Sequence, residues 1–223
     1  MTTLIGDMHG QIPKLIELTK GLDSWIQIGD LGVGMEHPHE IPEFDHGKFI
    51  RGNHDDPELS KAHPSYLGDY GTTDEGYFFV SGAATPGFAI EYFRQKAIES
   101  GGQLYWWEDE QLGYAEMQAA CQAYSEAKPE VMITHDAPSF LTQALIEAAK
   151  INDPLFGAGH PEPNNTTAAF THMFNEHKPK FWYFGHWHFP FCLKVEGCWF
   201  RCVASGEKVK VGELDTESQD QEV

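Results

Sequence analysis

Two short stretches set side chains of metal-ligating types two residues apart. Asp7 and His9 stand two residues apart in Leu4-Ile5-Gly6-Asp7-Met8-His9-Gly10, and His186 and His188 do the same in Phe184-Gly185-His186-Trp187-His188. Between them come Asp30 after Ile28-Gly29, the run Gly52-Asn53-His54-Asp55, and His135 after Val131-Met132-Ile133-Thr134. Carboxylates and imidazoles together suit a divalent first-row metal such as Mn, Fe, Co, Ni or Zn. In extended backbone, side chains i and i+2 point to one side. Each D-x-H or H-x-H pair is therefore expected to reach one point in space from a strand end.

The elements that must position these residues follow from apolar patterning. Strands are predicted over 4–5, 25–29, 49–52, 77–80, 131–134 and 181–185, and nearly all of them run into a candidate residue. In open α/β sheets ligands gather beyond the carboxyl ends of strands, so the repetition of strand, glycine and ligand-type residue carries weight. Helices are predicted over 12–20, with Pro13 in the first turn, over 88–100, 106–127 and 139–150, and in a segment ending at Phe174 after a loop over 153–165. A hairpin over 191–195 and 198–203 turns at Glu196-Gly197, and a last strand covers 207–211. Residues 1–214 read as one domain, and 215–223 as an acidic, disordered tail.

The formal charge of −19 argues against passive binding to nucleic acid or to an anionic membrane face. Bound cations would offset that charge locally, so an anionic substrate still fits at a metal site. Cys121, Cys192, Cys198 and Cys202 show no C-x-x-C spacing and read as reduced thiols. The first residues lack a basic and apolar leader, and no apolar run approaches a bilayer span. A soluble, cytoplasmic protein is expected.

Taken in order, D-x-H, G-D, G-N-H-D, a lone strand-end histidine and G-H-x-H resemble the calcineurin-like metallophosphoesterase superfamily over residues 5 to 188. The resemblance implies an α/β sandwich of two mixed β-sheets flanked by helices. It implies two divalent metals bridged by Asp30, with Asp7, His9 and His188 completing one site and Asn53, His135 and His186 the other. The reaction implied is hydrolysis of a phosphate ester by a metal-bound hydroxide, with Asp30 at its centre and His54 as general acid. The partner is then a small phosphoester or nucleotide. One carboxylate has two oxygens for such a bridge, and an asparagine ligand adds no charge, leaving the cations electrophilic.

One branch of the superfamily, the protein serine/threonine phosphatases, supports its acid histidine with the second aspartate of G-D-x-x-D. Here Val33 stands in that position and Gly34 replaces the arginine that follows it, which speaks against a protein phosphatase. Asp55 and Asp56 are then the alternatives for orienting His54. With no evident phosphate-clamping arginine, a diester or nucleotide is favoured over a phosphomonoester. Two other classes are weighed against this one. A non-catalytic interaction module would be expected to have lost ligands or the acid histidine, and a nuclease would show a basic or aromatic track. His37, His39, His46, His63, His160, His172 and His177 are assigned to the surface. The Trp106-Trp107 pair is assigned to packing, and Arg51 to either a phosphate contact or an ion pair.

Overall fold

A computed structural model describes residues 1–35, 41–99, 106–152 and 164–213. The tail expected from 215, most of the loop expected over 153–165, and His37, His39 and His160 lie outside these residues. In chain order the first elements are β1 (Thr3–Ile5), α1 (Ile12–Thr19), β2 (Trp25–Ile28), β3 (Gly47–Ile50), α2 (Pro57–Ala62), β4 (Tyr70–Thr72), β5 (Phe78–Val80) and α3 (Gly87–Glu99). Then follow α4 (Tyr114–Ala127), β6 (Val131–Thr134), a 3-10 turn (Ser139–Leu141), α5 (Thr142–Asn152), α6 (Asn165–Glu176), β7 (Phe181–Phe184), β8 (Phe191–Val195), β9 (Cys198–Cys202) and β10 (Lys208–Lys210).

The strands form two mixed sheets, ordered β10-β1-β2-β3 and β4-β5-β6-β7-β9-β8. Strands β1, β2 and β3 are parallel, as are β5, β6, β7 and β9, while β10, β4 and β8 pair antiparallel at the edges. This is the expected α/β sandwich. Strand alternation explains its layers. Leu4, Ile26, Ile28 and Ile50 of the first sheet meet Phe79, Val131, Ile133 and Tyr183 of the second in the core between them. Ile5, Trp25 and Phe49 point the other way, onto Ile12 and Leu15 of α1. On the far side of the second sheet, Phe78, Met132, Trp182 and Phe200 pack under α4, α5 and α6. Truncating a fully buried residue such as Leu15 to alanine would cost about 2–5 kcal/mol.

Local sequence rules hold at several boundaries. Pro13 lies in the first turn of α1, and Asp56 caps α2 by accepting from the backbone of Glu58 and Leu59. Glu196 and Gly197 both have positive φ, 46° and 87°, as a two-residue hairpin turn requires. The helix predicted from Trp106 begins instead at Tyr114. Gly113 breaks the run, and the Glu116 carboxylate accepts its backbone N–H at 3.0 Å, fixing the helix start there. Trp106 and Trp107 are half-buried ahead of that start, with the Arg94 guanidinium 4.9 Å above the Trp106 ring. Two of the surface histidines also depart from expectation. His63 and His177 are half-buried, and each meets a backbone carbonyl, of Ile41 at 3.0 Å and of Pro129 at 2.9 Å. His46 and His172 are exposed as expected.

Candidate metal centre

The carboxyl ends of β1, β2, β3, β6 and β7 bring Asp7, Asp30, Asn53, His135 and His186 together, and turns beyond β1 and β7 add His9 and His188. The alternation argument for the paired residues does not hold. β1 ends at Ile5 and β7 at Phe184, so both pairs lie past their strands. His9, Asp30, His186 and His188 have φ of 44°, 56°, 68° and 63°, the left-handed region that non-glycine residues rarely occupy. Convergence thus comes from strained turns at strand ends, and such strain concentrates at functional sites.

Two groups of donor atoms result. In the first, ligand-type atoms of Asp7, His9, Asp30 and His188 lie within 4.8 Å of one another. The Nε2 atoms of His9 and His188 are 3.0 Å apart, and His188 Nε2 is 3.1 Å from Asp7 Oδ2. His188 is 40% exposed, so this side opens to solvent. The second group, Asp30, His135 and His186, is wholly buried. Asn53 Oδ1 joins it at 2.9 Å from His186 Nδ1. Asp30 belongs to both groups.

The interior of this cluster fits cations. Asp30 Oδ2 and His135 Nε2 are buried without hydrogen-bond partners, although they lie 3.3 Å apart. Two fully buried carboxylates, Asp7 and Asp30, face a set of imidazoles. Burial would raise the Asp30 pKa, but His135, His54 and His9 hold it well below the ordinary carboxylate range. Burial keeps the His186 pKa down, favouring the neutral imidazole that ligates metals. Against burial, Asp30 raises the His135 pKa to about 10, so a cation there would displace a proton. His135 is oriented from behind, its Nδ1 lying 2.9 Å from the Ile28 carbonyl, as metal-binding histidines commonly are.

The glycines before the motif residues have a steric reason. A Cβ on Gly52 would meet the Asp30 carboxylate and, at 2.6 Å, His135 Nε2. One on Gly185 would collide with Asp7. Asp55 holds the turns together: its carboxylate accepts from the backbone of Leu31, Gly32, Val33 and Gly52 at 2.7–3.2 Å. It thereby joins the G-D turn to the G-N-H-D turn. Asp56 Oδ1 caps α2. Val33, in the place of the second aspartate of G-D-x-x-D, points into the apolar cluster with Ile5, Met8 and Leu31. Arg51 is 1% exposed, pairs with Asp69 at 3.4 Å and donates to the carbonyls of Asp109 and Glu110. It is the structural ion pair, not a phosphate contact.

His54 is half-buried, and its backbone N–H donates to Asp30 Oδ1 at 2.8 Å. Its ring lies edge-on to Phe93 of α3 at 5.0 Å and 5.7 Å from the His9 ring. Sequence reasoning missed Phe93, Thr85 and Glu110. Thr85 Oγ1 accepts from Asn53 Nδ2 at 3.1 Å and donates to Glu110 Oε2 at 2.7 Å. No short motif marks these residues, and Glu110 is the last acid of the run Glu108-Asp109-Glu110, which does not show which carboxylate is buried.

No curated protein matches the chain. Among solved structures, a phosphopantetheinyl hydrolase from Mycobacterium tuberculosis is similar at 15% identity and a TM-score of 0.50, covering 92% of this chain and 89% of that one. A conserved uncharacterized protein from Streptococcus pneumoniae, described as a predicted phosphoesterase, is similar at 13% identity and a TM-score of 0.40, covering 92% and 72%. The first of these likenesses shows a shared fold. The family model for calcineurin-like phosphoesterases matches residues 2–190, a span that contains all the clustered residues. The chain belongs to the calcineurin-like phosphoesterase family and is a metal-dependent hydrolase.

Proposed function

We propose that the chain hydrolyses a phosphodiester or nucleotide-type ester at a centre of two divalent cations. Asp7, His9 and His188 would hold one cation, Asn53, His135 and His186 the other, and Asp30 would bridge them. The observation that carries this reading is the place of Asp30 in both donor groups, with its Oδ2 buried, without a hydrogen bond and 3.3 Å from His135 Nε2. When bound, two such cations acidify a water and offset charge on the phosphoryl oxygens.

The remaining roles fall to the chain itself. His54 stands at the half-open edge of the cluster, where it would give its proton to the departing oxygen. The Asp30 bond to its backbone N–H holds that turn against the donor groups. Arg51 is engaged elsewhere, which favours a diester, with its single negative charge, over a phosphomonoester dianion. Four cysteines without a disulfide support a cytoplasmic location, and no helix among the described residues is long and apolar enough to cross a membrane.

Manganese-loaded protein should hydrolyse bis(p-nitrophenyl) phosphate faster than p-nitrophenyl phosphate, and EDTA should abolish both activities. Metal-loaded protein that turns over no phosphoester would point to an interaction module instead. A strong preference for the monoester would overturn the diester assignment.

A further inference from the structure

Asn53 poses a problem that its packing cannot solve. The carbonyl and amino ends of an amide are nearly the same size, yet only the oxygen binds a metal. Something must fix which end faces His186 and Asp30. Asn53, Thr85 and Glu110 are 1%, 4% and 4% exposed, so solvent does not decide it.

We infer that Glu110 is a positioning residue, which acts through Thr85 to turn the Asn53 carbonyl toward the metal site. This rests on the proposed ligand role of Asn53. Above pH about 7, where Glu110 is ionised, its carboxylate only accepts hydrogen bonds. Glu110 accepts from the Thr85 backbone N–H at 2.5 Å and from the Thr85 hydroxyl at 2.7 Å. The hydroxyl proton is therefore directed at Glu110, and Oγ1 shows only lone pairs to Asn53. Only the amino end of the amide can then face Thr85, at 3.1 Å. Oδ1 is left on the opposite side, 2.9 Å from His186 Nδ1. A cation at Oδ1 draws electron density through the amide and makes Nδ2 a better donor, so metal binding and the chain of bonds reinforce each other.

Glutamine at position 110 reverses this polarity. Its carbonyl can still take the Thr85 N–H, but its amino group then faces Oγ1. The Thr85 hydroxyl proton is released toward Asn53 and favours the flipped amide. Valine at position 85 removes the hydroxyl altogether, whereas serine keeps it.

The test is a manganese titration of the chelated full-length protein by calorimetry at pH about 8, where Glu110 is ionised. Glu110→Gln and Thr85→Val should each weaken one of the two binding events by roughly 10–100-fold, the range for groups that orient metal ligands. The other event should stay unchanged, which also reports a folded protein. The double variant should be no weaker than either single one, because both act through one chain of bonds. Thr85→Ser should bind within about threefold of wild type, since a hydroxyl of the same geometry orients the ligand equally well. Asn53→Ala separates the two levels of the argument. If Asn53→Ala weakens manganese binding while Glu110→Gln and Thr85→Val bind as wild type, the positioning role is wrong and the ligand role stands. Additive losses in the double variant would also overturn the positioning role. If Asn53→Ala binds normally, the ligand role fails and the inference falls with it.

Discussion

Asp30 Oδ2 and His135 Nε2 face each other at 3.3 Å in the interior, and neither atom forms a hydrogen bond. A buried polar atom without a partner costs about 1–3 kcal/mol. A cation between these two atoms would remove both penalties at once. The native state should therefore be tied to metal occupancy. Manganese at about one hundred times its dissociation constant should add ~2.7 kcal/mol of stability per site. Thermal melts with manganese and with EDTA check this, and identical midpoints would count against a metal in this pocket.

Replacing His54 with glutamine should leave metal content intact, because the proposed ligands are other residues. Esters with alkoxide leaving groups should slow by roughly 10²–10⁴-fold, since an alkoxide needs a proton as it departs. A p-nitrophenyl ester should suffer far less. The ratio of the two rates in one preparation is the measurement. Equal slowing would assign the proton transfer to another residue.

The surroundings of Arg51 predict a change in stability and none in substrate affinity. Arg51→Met removes one of the partners of Asp69, which keeps Lys61 and the Tyr66 hydroxyl, and strips two carbonyls of their donor. Denaturant melts should show a loss of about 2–4 kcal/mol, with KM unchanged. A raised KM at full stability would make Arg51 a substrate contact.

Much of the centre was legible in the sequence because its code is local. An apolar strand, a glycine and a ligand-type residue sit side by side, and the glycine is required where Gly52 crowds Asp30 and His135. The Glu196-Gly197 turn and Pro13 at the start of α1 are equally local. Long-range pairing carries no such mark. Thr85 meets Asn53 across 32 residues and Glu110 across 25, so their network shows only in the fold. The left-handed turns at His9, Asp30, His186 and His188 were hidden for another reason. Their φ values run against residue preference and are imposed by the turns around them, including the backbone clamp of Asp55.

Glu110 supplies a pH dependence. Burial pushes its pKa up to about 7, against the hydrogen bonds from Thr85, while an unfolded glutamate stays near the ordinary value of about 4.3. The folded state then binds the proton more tightly than the unfolded one. Its stabilising effect is present below the unfolded pKa and declines as pH rises through about 7. In chelated protein, wild type should lose stability relative to Glu110→Gln between pH about 5 and 8. Paired melts across that range check the sign, and a constant difference would show that Glu110 does not titrate there.

The central claim is that two cations share Asp30, and counting metal in Asp30→Asn tests it most directly. After manganese loading and desalting, wild type should carry two ions per chain. The variant, with one anionic bridging group made neutral, should lose at least one ion and nearly all phosphodiester turnover. Two retained ions with near-normal turnover in Asp30→Asn would contradict the shared centre.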